Sequence, residues 1–121
     1  MIRRPPRSTL DRSSAASDVY KRQTSYKLGS DCVEIHTGRL SRLVKLKKNY
    51  SKELNRIKKC SIIAKKIGLE VHAGHGLDYK TTELLSRFKE IEEFNIGHYL
   101  IGESVFFGLS KVIKRFKKII K

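Results

Sequence analysis

The chain has 121 residues, room for one small domain, and carries 27 Lys and Arg against 12 Asp and Glu, a net charge of +15. That excess raises nucleic acid or an anionic surface as a partner, but much of it lies in 45–66 and 111–121, where helical periodicity turns the lysines outward as a solvated face. The absence of any run of ~18 apolar residues argues against a spanning helix, and Cys32 and Cys60, 28 residues apart without a CxxC spacing, read as reduced thiols of a cytoplasmic protein.

Residues 1–23, MIRRPPRSTLDRSSAASDVYKRQ, show no amphipathic period and no apolar h-region, so they are not a secretory signal. Their Arg and Ser content would suit a mitochondrial transit peptide. The string is closer to translated adapter sequence joined to a truncated reading frame. It is expected to be a disordered, non-native leader, with residues 24–121 as the folded unit. Six basic and two acidic residues lie in the leader, so the remainder carries +11.

Residues 24–29 read as the end of a helix, with Gly29 at the C′ position. Residues 32–36, Cys-Val-Glu-Ile-His, read as a strand buried on both faces. Alternation places Cys32, Glu34 and His36 on one face and Val33 and Ile35 on the other. A carboxylate there is costly unless a Lys or Arg pairs with it or a site uses it. Residues 39–49 form a basic connector with partial helical character. Residues 51–67 form the clearest helix, with Leu54, Ile57, Ser61, Ala64 and Ile67 at spacings of three and four. Ser51 can cap its start and Gly68 its end.

A second strand covers 69–73 and runs into the turn Gly74-His75-Gly76. Asp78 caps a helix over 79–89 whose apolar side is Leu84, Leu85 and Phe88. A third strand covers 93–97, and a short helix opens over 98–102. Phe106, Phe107 and Gly108 lead to a terminal helix over Leu109–Ile120, striped by Leu109, Val112, Ile113, Phe116 and Ile119 or Ile120. Alone, that helix would suit a membrane surface; in a globular chain it packs as an outer helix on a sheet.

Strand, helix, strand, helix, strand, short helix, helix is α/β repetition and calls for a parallel sheet. Three strands do not close a barrel. In a (β/α)8 barrel, function sits at the carboxyl ends of the strands, and a phosphate site often uses the N-terminus of a short extra helix. Residues 95–102 fit that description, with Gly97 letting the backbone approach an anion.

Three blocks, VEIHTG (33–38), GLEVHAGHGLDY (68–79) and FNIGHYLIGESVFFGL (94–109), agree in order and spacing with one family. From about Gly29 onward the chain resembles the pyridoxine 5′-phosphate synthases. The resemblance implies the C-terminal part of a TIM (β/α)8 barrel of ~250 residues, namely strands 6, 7 and 8 with their helices. It implies condensation of 3-amino-2-oxopropyl phosphate with 1-deoxy-D-xylulose 5-phosphate to pyridoxine 5′-phosphate, in vitamin B6 biosynthesis. No metal or organic cofactor is implied. The partners would be small phosphate-bearing substrates, with no nucleic acid or membrane, and a homo-oligomer at full length.

The resemblance makes His75 the proton donor and Glu34 the group that stabilises the transition state. Gly76, Gly97 and His98 would hold the phosphate-bearing ligands. His36 and His72 receive no role and default to strand-face packing. The family's N-terminal half, with a further histidine and glutamate acting as bases and an arginine, has no counterpart here. The 121 residues are therefore expected to be inactive and poorly folded, with an unpaired strand edge. Three alternatives compete: a metal site built from His36, His72, His75, His98 and Glu34; another phosphate-sugar-binding barrel; and a basic RNA-binding module, which lacks an RNP, KH or zinc-finger pattern.

Overall fold

The alternation of Cys32–His36 produces an edge strand of a four-stranded sheet, in which Ile2–Arg3, Ile91–Asn95, Glu70–Gly74 and Cys32–His36 lie side by side in that order. The computed structural model describes Ile2, Arg3 and residues 31–121, so the helix end expected at 24–29 lies outside it. The elements are β1 (Ile2–Arg3), β2 (Cys32–His36), α1 (Gly38–Lys45), α2 (Ser51–Lys66), β3 (Glu70–Gly74), α3 (Tyr79–Ser86), β4 (Ile91–Asn95), α4 (His98–Phe107) and α5 (Leu109–Ile120). Strands β2, β3 and β4 are parallel, as the α/β repetition predicts. Ile2 and Arg3, within the leader, pair antiparallel with Phe94 and Glu93.

The two faces of the sheet differ in chemistry. Val33, Ile35, Val71, Ala73 and Phe94 are wholly buried on one face, in a single core with Ile57 and Ala64 of α2, Leu85 of α3 and Phe116 of α5. Burying each of the large side chains contributes about 1.5–3 kcal/mol. The opposite face carries Glu34 and His36 on β2, His72 and Gly74 on β3, and Glu93 and Asn95 on β4, aligned as Glu34–His72–Glu93 and His36–Gly74–Asn95.

Strand β4 begins two residues earlier than the 93–97 expected from sequence. A bulge is the reason: Val71 pairs with Ile91 but His72 pairs with Glu93. The extra residue, Glu92, breaks the alternation and meets Lys65 in an ion pair. It keeps Ile91 on the apolar face while Glu93 and Asn95 stay on the polar one. Strand β3 likewise runs one residue later, to Gly74.

The helices follow from their apolar spacing. The expected connector over 39–49 is a two-turn helix, α1, because Leu40 and Val44 recur four apart and are buried beneath an outer basic face. On α2, Ile57, Ser61 and Ala64 are buried and Leu54 and Ile67 pack partly against the core, as their spacing predicts. Its cap differs: Asn49 Oδ1 accepts from the Ser51 N–H at 3.0 Å, and Tyr50 is the N-cap residue. Gly68 closes the helix at φ +88. Asp78 caps α3 by accepting from the Thr81 N–H at 2.8 Å. That helix stops at Ser86, three residues short of the expected end.

Helix α5 buries Val112, Phe116 and Ile120 and packs on α3 and α4. Among the described residues no helix is long and apolar enough to cross a membrane. Cys32 and Cys60 are both buried and are not joined in a disulfide.

Candidate active site

The parallel register brings His36, Gly74 and Asn95 into line where β2, β3 and β4 end. Beyond that line the chain turns into α1, α3 and α4, leaving an open cavity of about 1000 Å³. Glu34, His75, Gly76, Gly97 and His98, the five residues singled out from sequence, all line it.

Glu34 reaches the cavity by lying across β3. An added Cβ at Gly74 would stand 2.6 Å from the Glu34 Cδ, so only glycine leaves room for the carboxylate. On the far side Asn95 Nδ2 donates to Glu34 Oε2. The carboxylate is thus held by an amide rather than the Lys or Arg considered from sequence. Two further polar atoms of the cavity wall, Asn95 Oδ1 and Ser41 Oγ, are buried without a hydrogen-bond partner among the described residues.

His75 follows the last residue of β3 and takes φ +86, a conformation that costs a non-glycine residue of order 1–3 kcal/mol. The buried Thr37 holds it there. The Thr37 N–H donates to the Gly74 carbonyl at 2.8 Å. Its hydroxyl lies 2.7 Å from the same oxygen and 2.9 Å from the His75 carbonyl, sharing one proton between them. Gly76 continues the turn at φ +69, where an added Cβ would come within 3.3 Å of Ser41 Cβ. The His75 ring projects to the surface and stacks on His36, with centroids 4.2 Å apart and planes tilted by 31°.

His36 accepts at Nδ1 from the Gly38 N–H at 3.3 Å. Burial, and next the neighbouring His75, hold its pKa below the ordinary 6.5, and Arg56 acts the same way against the opposing pull of Glu34 and Glu53.

The third wall is the start of α4. Gly97 is its N-cap and offers no side-chain bond, so the first N–H groups face outward. An added Cβ at Gly97 would meet nothing within 4 Å. Such a helix start suits an anion. An aromatic cluster fixes its position: Tyr99 meets Tyr79 edge-on at 5.1 Å and Phe116 at 6.2 Å, while Arg115 caps the Tyr79 ring at 3.9 Å. Burial there, and then Glu103, raise the Tyr99 pKa above 10.0.

The alternative metal set is not drawn together. Among the described residues the group disposed to hold a metal is Glu70, His72 and Glu93, with ligand atoms within 4.8 Å of one another. His72 is 1% exposed; its Nε2 lies 2.9 Å from Glu70 Oε1 and its Nδ1 3.6 Å from Glu93 Oε1. It is a buried strand-face residue one level below the cavity.

Sequence reasoning passed over Thr37, Gly74 and Asn95 as working parts. Asn95 carried a signal, since it ends a strand beside the Gly97 turn. Thr37 and Gly74 act through backbone contacts and close approach, which residue type alone does not reveal.

Comparison with known proteins agrees with this layout. The family model described as pyridoxal phosphate biosynthesis protein PdxJ matches residues 15–121. A pyridoxine 5′-phosphate synthase of Pelagibacter ubique is 60% identical over 92 residues, covering 76% of this chain and 38% of that protein. Those of Sulfurihydrogenibium sp. and Xanthobacter autotrophicus are 46% and 43% identical, over 85% and 87% of this chain and 42% of each relative. The chain thus spans about two-fifths of the length of the curated relatives it matches. With the match running through all three parallel strands and every wall of the cavity, the chain belongs to the PdxJ family of pyridoxal phosphate biosynthesis proteins.

Proposed function

We propose that this chain supplies one wall of the active site of a pyridoxine 5′-phosphate synthase. The enzyme would condense 3-amino-2-oxopropyl phosphate with 1-deoxy-D-xylulose 5-phosphate in the cytoplasm. The observation that carries this is the convergence of Glu34, His75 and the uncapped start of α4 on one cavity at the ends of parallel strands. In this reading β2, β3 and β4 are strands 6, 7 and 8 of a (β/α)8 barrel, and their polar face looks into the barrel.

The chemistry divides among the three walls. Attack of the substrate amine on the ketone gives a carbinolamine, and once its hydroxyl is protonated, loss of water leaves an iminium; the fixed, half-buried Glu34 carboxylate stabilises that positive charge. Ring closure expels oxygen leaving groups that need a proton, and His75, on the rim with its ring exposed, is placed to deliver it. Phosphate oxygens suit the Gly76 backbone and the α4 N–H groups, with His98 beside them. These steps call on no metal or organic cofactor. At full length the enzyme would be a homo-oligomer that engages neither nucleic acid nor membrane. The 121 residues alone would be inactive, because the bases implied by the family lie outside them.

The test is a hybrid in which the 92 matched residues replace their counterpart in the Pelagibacter ubique relative. The hybrid is expected to form pyridoxine 5′-phosphate, detected by mass spectrometry, while the 121-residue chain forms none. A folded hybrid that binds neither substrate would refute the assignment.

A further inference from the structure

We propose that His36 is a positioning residue for His75: its ring, seated on the β2–α1 turn, is the platform that holds the His75 ring in the orientation from which it donates a proton. The inference rests on the reading of His75 as the proton donor.

Three observations carry it. First, the stack at 4.2 Å is the ring contact that His75 makes, and none of the described residues forms a hydrogen bond to its ring nitrogens. The Thr37 clamp fixes the backbone of His75 through its carbonyl, but a clamped backbone leaves the ring free to turn about χ1 and χ2. Only a neighbouring surface restrains it.

Second, the platform is itself built to stay still. The Gly38 N–H bonds to His36 Nδ1 at 3.3 Å, which assigns that nitrogen as an acceptor and the proton to Nε2. A Cβ at Gly38 would lie 2.7 Å from His36 Cε1, so the glycine is there to let the ring fold over the turn. Arg56 Nη2 donates to the His36 carbonyl at 3.5 Å and anchors the backbone beneath.

Third, the platform is neutral where a cation would harm. The charged and titratable groups around His36 are His75 from the β3–α3 turn, Glu34 on its own strand, and Arg56 and Glu53 from α2. Burial and then His75 hold its pKa below the ordinary value, so His36 is uncharged at neutral pH beside the proton donor. Two imidazoles in different environments then divide the work, one as acid and the other as uncharged support. The tilted face-to-face contact does not align ring nitrogens for proton transfer, so His36 supports the donor and is not a relay.

Two measurements test the proposal, and one does not depend on the reaction. In the histidine-labelled hybrid, His36 is expected to titrate below 6.5 by NMR and to move upward in His75→Gln. A His36 titration at 6.5 in both proteins would mean the rings are not in contact and would overturn the proposal. In the hybrid enzyme, His36→Ala is expected to lower kcat about 10–100-fold with KM within about twofold, the size of effect a misplaced catalytic group produces. His36→Phe, which keeps a flat ring, should restore kcat to within about threefold. Equal activity of His36→Ala and the parent, or equal loss in His36→Ala and His36→Phe at unchanged melting temperature, would overturn it. An inactive parent hybrid in which the NMR coupling persists would count against the reaction and leave the stack established.

Discussion

Gly74→Ala tests whether the strand glycine exists to seat the Glu34 carboxylate. The added methyl would lie 2.6 Å from Cδ and 2.7 and 2.8 Å from the two oxygens of Glu34, well inside contact distance. Because the obstacle is the end of a flexible side chain, Glu34 will swing away, and its bond from Asn95 Nδ2 will break. A hydrogen bond to a charged group contributes ~1.5–3 kcal/mol. Replacing a strand glycine recovers ~0.5–1 kcal/mol of backbone entropy. The net cost should be about 1–2 kcal/mol. In a Glu34→Ala background nothing blocks the methyl, and the same change should stabilise by about 0.5–1 kcal/mol. Urea unfolding of the four proteins of this cycle in the hybrid enzyme would show a coupling of about 2 kcal/mol. If Gly74→Ala costs the same in both backgrounds, the glycine is required by the strand and the seating argument fails.

Thr37→Val removes the hydroxyl shared by the Gly74 and His75 carbonyls, and should destabilise by about 1–2 kcal/mol while Thr37→Ser stays near the parent in thermal unfolding. Gly97→Ala meets no atom within 4 Å, so its melting temperature should stay within about 2 °C of the parent, yet KM for a phosphate-bearing substrate should rise about tenfold. An unfolding series from pH 7.5 down to about 2.5 should decline in two stages. His36 is held low by burial and then by His75, so the unfolded chain takes up that proton first and stability falls below 6.5; His36→Phe should flatten this stage. Glu90 is pushed up by burial but carried lower overall by the Lys58 ammonium at 2.9 Å. Its contribution is present above 4.5 and lost as pH falls through its lowered value, and Lys58→Met should remove that second stage.

The parts legible in the sequence are those that periodicity encodes. The burial of Cys32–His36 and the stripe of α2 depend on spacing, and spacing is visible. So is the Asp78 cap, which needs only a short side chain ahead of a helix. The start of β4 was not legible, because a bulge at Glu92 destroys the alternation by which strands are recognised. Helix α1 was obscured in the same way: five basic residues between Arg39 and Lys48 mask a Leu40–Val44 pair that the fold buries. At the site, the family blocks placed five residues on one cavity. They could not show that Gly74 and Gly38 are glycines for the same reason, one to admit Glu34 and the other to admit His36. Such requirements arise from close approach across strands and turns, which appears only once register is known.

The polar face of the sheet carries glutamates at two levels, and depth decides which of them can take part in chemistry. Glu93 is 1% exposed and Glu70 8%, and both lie against a His72 that is itself 1% exposed. A group sealed at that depth cannot meet a ligand arriving from the strand ends, whatever its acidity. Glu34 pairs in register with His72 on the same face, yet it escapes this fate because the next residue pair up β3 ends in Gly74. The missing Cβ opens a path over the strand, and the carboxylate travels through it to Asn95 and the cavity. A larger residue at 74 would close that path and turn the carboxylate out of its seat beside Asn95.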